Sequence, residues 1–561
     1  MDRIWLQNYP AKVKHEINPN EYSSLTDLLN QAFERHADNP FSVCMERWMS
    51  YRELDQLSQA LGAWLQAQGL APGSRIAIML PNVPQFAVTM AGILRAGYTC
   101  VNVNPLYTPR ELAHQLKDSG ACAIVILENF ASKLAEVLDQ TQVKHTVLAS
   151  MGDLLGPVYG RWITFAVRHL AKMVPEFELP QNEHHKVTSF KQVIEDGRQS
   201  RLKPVTQSLD DIAFLQYTGG TTGLSKGAIL THRNIVAAIL QAETWFAPAL
   251  TRMPDLRKVN NIAALPLYHI FALTLCLLAI RQGSHLTLVP NPRDFAKFID
   301  TLKKRPFHLL AGVNTLFNAL LQHPQFKSID FSSLCLTQAG GMAASEGTAR
   351  AWQAATGSAM IEGWGMSETC AIGSNNPVTA TSFSGNIGLP LPSIDMAIKD
   401  DEGHSLPQGE TGEICIRGLN VMTGYYQQEE ETRKAFTPDG FMRTGDVGLM
   451  DEQGYFKIVD RKKDMIIVSG FNVYPSELEN VISMCPGIVE CAAVGIPDDM
   501  QGEMIKVFAV RSDSMLTEEA VSRYCNENLT GYKRPKYIEF RDELPKSNVG
   551  KILRRELRSH T

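Results

Sequence analysis

Short apolar runs alternate with amphipathic helical patterns through the first part of the chain, and this alternation constrains the fold more than any other feature. Residues 75–80 (RIAIML), 100–103 and 123–127 (AIVIL) read as strands. The helical patterns QFAVTMAGILRAG and NPLYTPRELAHQLKDSG stand between them, the second opening through Pro109. Strands that alternate with helices form a parallel sheet with crossover helices, so an α/β class is expected. Two further helical patterns, SLTDLLNQAFERHA and LDQLSQALGAWLQAQG, come before them. The alternation returns later, with helices near 295–304 and 316–322 and strands near 308–310 and 334–338. From Pro390 the texture changes to short, turn-rich strands (DMAIKDDEG, GEICIRG), a small β-rich piece. A helix from 477 to 484 and strands at 489–494 and 505–510 then suggest a compact α+β unit. A chain of 561 residues exceeds one core, so at least two domains are expected. The charged run Asp460-Arg461-Lys462-Lys463 marks the boundary, dividing 1–459 from 464–561 with a hinge at 460–463.

The stretch 217–227, YTGGTTGLSKG, packs Gly219, Gly220, Gly223 and Gly227 with Thr218, Thr221, Thr222, Ser225 and Lys226. Glycines let backbone N–H groups approach an anion closely, and successive N–H groups form an anion-binding nest. The hydroxyls add donors or a metal ligand, and Lys226 adds a mobile positive charge. Residues 212–217 read as a strand end and 228–230 as a second strand, which places a phosphate loop inside a hairpin. It is not a Walker A loop, which needs Gly-Lys-Ser/Thr opening a helix. The bland alternative is an ordinary Gly/Thr turn. The density of hydroxyls and the single lysine argue against it.

A formal net charge of -5 gives no global basic character, so nucleic acid is not an expected partner. The 10 cysteines show no CxxC or metal spacing, which suits reduced thiols in a cytosol. The first residues lack an apolar secretory core, so no signal peptide is expected. Residues 262–280 carry no Lys, Arg, Asp or Glu. Pro266 and His269 interrupt them, which favours a buried strand, turn and helix over a membrane span. Residues 161–174 read as a basic amphipathic helix. Arg161, Arg168 and Lys172 share one face, Ile163, Val167, Leu170 and Val174 lie opposite, and Trp162 and Met173 flank them. Such a helix either lies on an anionic membrane or is a surface helix with a solvated basic side.

Several stretches now form one ordered pattern: YTGGTTGLSKG, LPLYHIF at 265–271, AGGM at 339–342, GWGMSET at 363–369 and RTGDVG at 443–448. VDRKKDMIIVSGFNVYPSELE at 459–479 and PKSNVGKILRREL at 545–557 complete it. The pattern resembles the adenylate-forming superfamily of acyl-CoA synthetases, luciferases and nonribosomal adenylation domains. Within it, DGFMRTGDVGLMDEQGYFKIVDRKK at 439–463 is similar to the fatty acyl-CoA synthetase signature. NVNPLYTPRELAHQLKDSG and GVNTLFNALL at 312–321 are similar to bacterial long-chain enzymes. The resemblance implies a large N-terminal domain of layered αβ sheets with a small β-barrel-like part, and a small mobile α+β C-terminal domain. It implies a two-step reaction: a fatty carboxylate attacks the ATP α-phosphate, and the CoA thiol then attacks the acyl carbon and expels AMP.

The resemblance also implies roles for residues. Thr218, Gly219, Gly220, Thr221, Thr222, Gly223 and Lys226 would hold the β and γ phosphates. Glu368 would bind Mg²⁺, a hard cation that wants oxygen ligands, with Thr218 beside it. Gly340, Gly341, Gly363, Trp364, Gly365 and Ser367 would receive AMP, the indole stacking on adenine and the two glycines at 340–341 leaving room for its plane. Trp364-Gly365-Met366-Ser367 replaces the family's usual Tyr-Gly-x-Thr. Asp446 would accept the ribose hydroxyls and Arg461 donate to them. Lys551 would bridge the substrate carboxylate and the α-phosphate, and His269 would sit beside the reacting carboxylate. Leu273, Val313 and Leu316 would line the acyl channel. Lys463 would be the hinge about which the C-terminal domain swings, bringing Ser469, Gly470 and Phe471 to the CoA pantetheine arm.

Taken alone, these residues have commoner fates: core packing for Trp364 and His269, surface ion pairs for Asp446 and Arg461, solvation for Lys551. Rival readings are a serine hydrolase built on Ser367 and a non-enzymatic lipid-binding protein. Others are a medium-chain or aryl acyl-CoA ligase, or a fatty acyl-AMP ligase. Against the hydrolase, Thr369 stands where a nucleophile elbow needs glycine. The expected setting is the cytoplasm, at the inner face of the cell membrane, with fatty acid, ATP and CoA as partners and a homodimer allowed.

Overall fold

A computed structural model describes residues 3–218, 225–251, 253, 255–469, 471–498, 502–547 and 550–558. The alternation seen in the sequence becomes a seven-stranded sheet. Its order is Lys186–Ser189, His145–Ala149, Ala123–Leu127, Arg75–Met79, Thr99–Asn102, Ile212–Tyr217 and Gly227–Thr231. Every neighbouring pair is parallel except the last, the expected hairpin. The crossover helix Pro84–Arg95 (PQFAVTMAGILR) is buried from Pro84 to Leu94, as an apolar surface on all sides requires. Gly92 lets it meet the helix Tyr51–Ala67, since a Cβ there would lie 2.7 Å from Leu61 Cδ2.

A second sheet of nine strands carries Asn260–Ala263, Leu309–Gly312, Leu336–Ala339 and Met360–Trp364 in its parallel part. Residues 262–280 form a strand end, a turn and most of the helix Ile270–Gln282, and the majority of them are buried. No helix among the described residues is long and apolar enough to cross a membrane. One edge of this sheet is the hairpin Pro40–Cys44 and Arg47–Ser50, which the sequence pattern does not announce. Its turn residues Met45 and Glu46 hold positive φ of 47° and 65°. Hairpin turns of that kind are usually signalled by Asn-Gly, and here nothing signals one.

The β-rich piece is an antiparallel meander of Ile394–Lys399, Gly412–Gly418, Met442–Met450 and Phe456–Arg461. Beyond it, Ile466–Val468, Phe471–Val473, Ile488–Asp498, Gly502–Arg511 and Tyr537–Phe540 form a last sheet. This sheet has a core of its own, including Leu478, Ile482, Val507 and Val521.

The stretch 161–174 departs from the amphipathic helix read from the sequence. An α-helix covers Tyr159–Phe165, a π-helical turn covers Ala166–Leu170, and Lys172 leaves helical geometry at φ 50°. Arg168 stays exposed but is not free on a basic face: it donates to the buried Glu128 carboxylate at 2.8 Å through Nε. Ile163 packs against the core, whereas Val158, Trp162, Phe165, Leu170 and Met173 are exposed. The exposed apolar side is thus defined by how the segment docks rather than by helical period alone.

Candidate active site

Parallel strands leave their carboxyl ends at one edge of a sheet, where ligands of open α/β folds bind. Here such ends from both large sheets face the meander and the C-terminal unit, enclosing a cavity of about 1900 Å³. Asn102, Gln216 and Tyr217 line it from the first sheet, Gln338 and Trp364 from the second. Arg461 comes from the meander and Lys551 from the C-terminal unit.

The hairpin brings Thr218 and Lys226 to the cavity, with the Thr218 N–H donating to the Lys226 carbonyl at 3.0 Å. Gly219, Gly220, Thr221, Thr222 and Gly223 lie outside the described residues. A distant segment, 424–426, docks along the second hairpin strand: Ile229 N–H donates to Gly424 O (2.9 Å) and Tyr426 N–H to Gly227 O (2.8 Å). That docking puts the Tyr425 ring under the Lys226 ammonium, 5.2 Å away, and lets the Tyr425 hydroxyl donate to Glu368 Oε1 at 2.8 Å. Lys226 also forms an ion pair with Glu431.

Glu368 lies on a short turn, Ser367–Thr369, after the strand Met360–Trp364. Its side chain borders the cavity and is buried, which pushes its carboxyl above the usual range. Among the described residues it has no ion-pair partner. A buried carboxyl that faces a polar cavity and has no ion pair of its own is an oxygen donor that a hard divalent ion could use. No cluster of three or more potential ligands from His, Cys, Asp and Glu occurs among the described residues.

Trp364 is held from two sides. Its indole N–H donates to Asp446 Oδ2 at 2.9 Å, and Gly373 lies so close that a Cβ would stand 2.5 Å from the ring. Arg461 Nε meets the other Asp446 oxygen at 2.8 Å, a pairing set by their cross-strand register. Asp446 is therefore buried with both oxygens engaged, while Arg461 and Trp364 face the cavity. The glycines of the wall serve packing as well as clearance. A Cβ on Gly365 would lie 2.2 Å from Ala371 O, and one on Gly363 2.7 Å from Gln338 Nε2. At Gly340 the space is taken by the Phe271 ring, 3.1 Å away, and Gly341 holds a φ of 78°. Ser367 borders the cavity beside Glu368.

Lys551 reaches the cavity on a turn closed by Ser547 N–H to Lys551 O at 2.7 Å. Burial, and then the charge of Arg461, hold its ammonium down to about 8. The same two causes bring Lys463, also at the cavity, down to about 8. His269 caps the helix Ile270–Gln282, its Nδ1 accepting from Phe271 N–H. Burial, and then Lys551, push the ring down to about 4, so it is neutral at ordinary pH.

Of the three residues expected to line an acyl channel, Val313 borders the cavity. Leu273 is wholly buried, and Leu316 sits behind Gly312; neither borders it. The apolar wall is built instead by Phe246, Leu265, Phe271 and Leu275. Phe246, Leu265 and Leu275 also close a small apolar cavity of about 30 Å³ behind it. Ser469 and Phe471 lie away from the cavity, Ser469 at φ 51° and Phe471 exposed and stacked on Tyr532 at 4.8 Å. Gly470 lies outside the described residues. Sequence reasoning missed Tyr425 and Glu431. The first sits in an unremarked Tyr-Tyr pair, and the second in an acidic run that reads as a solvated helix face.

Residues 29–426 match the AMP-binding enzyme family, and residues 477–551 its C-terminal domain. The chain is 49% identical over 561 residues to a long-chain-fatty-acid–CoA ligase of Escherichia coli O6:H1, covering all of this chain and 98% of the relative. The anthranilate CoA ligase AuaEII, solved with anthranoyl-AMP, superposes with a TM-score of 0.83 at 25% identity, covering 97% of this chain and 99% of that one. ATP-bound MatB from Rhodopseudomonas palustris superposes with a TM-score of 0.79 at 27% identity, covering 95% and 98%. Matched along nearly all its length, with its motifs gathered around one cavity, this chain belongs to the AMP-binding enzyme family.

Proposed function

We propose that the protein joins a long-chain fatty acid to coenzyme A at the expense of ATP. The observation that carries this reading is full-length identity of 49% to a long-chain-fatty-acid–CoA ligase. A fatty carboxylate oxygen bonds to the α-phosphorus as the bond to the β-phosphate oxygen breaks, releasing pyrophosphate. The CoA sulfur then bonds to the acyl carbon, its proton goes to solvent, and AMP leaves.

The first step brings anions together, so fixed positive charge has to offset them. Lys551 and Arg461 supply it at the α-phosphate and ribose, and Lys226 at the outer phosphates. Neutral His269 borders the carboxylate without adding charge, and Phe246, Leu265 and Leu275 face the acyl tail. Glu368, helped by Thr218, would hold Mg²⁺. That ion supplies charge neutralisation on the phosphates. Tyr425 keeps the Glu368 carboxylate aimed at the cavity.

The second step needs Lys551 to leave, since the thiol has to reach the same carbon. The unit 464–561 swings about Lys463, and the loop containing Ser469, Gly470 and Phe471 takes its place. In a cell the enzyme works at the inner face of the membrane, held by the segment 161–174. That segment has no acidic residue, and Arg161, Lys172, Trp162 and Phe165 are all exposed.

The test is thioester formation with ATP and CoA across acids from acetate to stearate. Activity rising toward the long acids, with AMP as product, is expected. ADP in place of AMP means γ-phosphoryl transfer and rejects the reading.

A further inference from the structure

The cation of the phosphate loop is already partnered. Lys226 is ion-paired with Glu431, on the helix Glu429–Ala435 at the cavity mouth. That helix is fixed to the site by Thr432, whose hydroxyl accepts from Tyr425 N–H at 2.8 Å. Tyr425 in turn touches both Lys226 and Glu368. Glu431 therefore stands where it is because of the same residue that organises the site. It has a second cation as well: Lys434 meets its other oxygen at 3.2 Å and Glu430 at 2.8 Å. The hydrogen bond from Lys226, then that from Lys434, holds the Glu431 carboxyl below its usual range, so it is ionised at neutral pH.

We propose that Glu431 is an exchange partner for the outer phosphates: it occupies Lys226 before ATP binds and reclaims it as pyrophosphate leaves. The proposal rests on the reading of 217–227 as the loop that holds the β and γ phosphates. A triphosphate and Glu431 compete for one ammonium. When phosphate wins, Glu431 is not stranded, because Lys434 remains beside it. When the α–β bond breaks, the departing pyrophosphate meets a carboxylate that is tethered next to its own cation. Glu431 thus weakens the hold on any ligand with outer phosphates and leaves AMP and acyl-AMP, which have none, untouched. It is a positioning residue and touches no reacting atom.

The experiment uses the full-length enzyme and the acyl-adenylation half-reaction. The variants are Glu431→Gln, Lys226→Ala and the double variant, each with its melting temperature recorded. An exposed ion pair accounts for only a modest effect, so Glu431→Gln should lower KM for ATP by about two- to fivefold. The inhibition constant of pyrophosphate should fall by the same factor, and that of AMP should stay put. Lys226→Ala should raise KM for ATP, and in its background Glu431→Gln should do nothing. A merely structural role for Glu431 would shift melting temperature without separating pyrophosphate from AMP. If Lys226→Ala leaves KM for ATP unchanged, the phosphate-loop reading fails and the proposal with it. If Lys226→Ala raises KM but Glu431→Gln leaves it unchanged or raises it, the loop reading stands and the exchange proposal is overturned.

Discussion

Raising the pH should switch off adenylation through one lysine. Lys551 is held at about 8 against its usual 10.5. That displacement corresponds to about 3 kcal/mol disfavouring the ammonium in the empty site. Its origin is burial, followed by Arg461, with Lys463 and Arg554 adding to it and Asp446 opposing. Below about pH 8 the group is charged and, in the role proposed for it, would meet the carboxylate and α-phosphate; above it, the charge is lost. Because kcat/KM reports ionisations of the free enzyme, kcat/KM for ATP in acyl-AMP formation should fall about tenfold per unit above pH 8. Bound anions favour the ammonium, so the matching limb in kcat should lie at higher pH. Lys463, displaced to about 8 by the same causes, is the competing source of the limb. Arginine keeps its charge throughout this range. Lys551→Arg should therefore flatten the limb in whatever rate remains, and Lys463→Arg should leave it in place. A profile that stays flat to about pH 10, or a limb abolished by Lys463→Arg and not by Lys551→Arg, refutes the reasoning.

Other expectations concern single contacts. Trp364→Phe removes the donor to Asp446 Oδ2, a buried acceptor; leaving such an acceptor unpaired costs about 1–3 kcal/mol of stability, so the melting temperature should fall, and KM for ATP should rise in steady-state assays as the cavity wall loosens. Glu368→Gln should keep the fold, since the Tyr425 hydroxyl can still donate to the amide oxygen. It should also demand far more Mg²⁺ for half-maximal adenylation, as read by magnesium titration, and an unchanged midpoint would exclude Glu368 as a ligand. Lys551→Ala should stop acyl-AMP formation yet spare CoA attack on supplied acyl-AMP, whereas Lys463→Pro should do the reverse. Equal loss of both half-reactions in Lys551→Ala would remove the case for domain alternation. Trp162→Ser with Phe165→Ser should weaken co-sedimentation with anionic liposomes, and Arg161→Glu with Lys172→Glu should do so in a salt-dependent way. Unaltered binding in both pairs would end the membrane assignment.

The sequence by itself determined the α/β class, the hairpin around the glycine loop and the order of the motifs. These are local matters: apolar period, turn chemistry and residue type at fixed spacing. It also supplied the cavity side chains Lys226, Trp364, Glu368, Arg461 and Lys551, because their motifs are short and contiguous. What it left open depends on contacts between residues far apart in the chain. The hairpin at Met45-Glu46 has turn residues that carry no glycine or asparagine signal. Leu273 and Leu316 look like channel lining on pattern, but which apolar side faces a cavity is settled by packing, and it chose Phe246, Leu265 and Leu275. Arg168 reads as one free charge of a basic face, yet it pairs with the buried Glu128, 40 residues away. Tyr425 and Glu431 acquire their places only when segment 424–426 docks on the strand Gly227–Thr231. Periodicity fixes what a segment can bury; only the docking of distant segments decides which buried and charged groups meet.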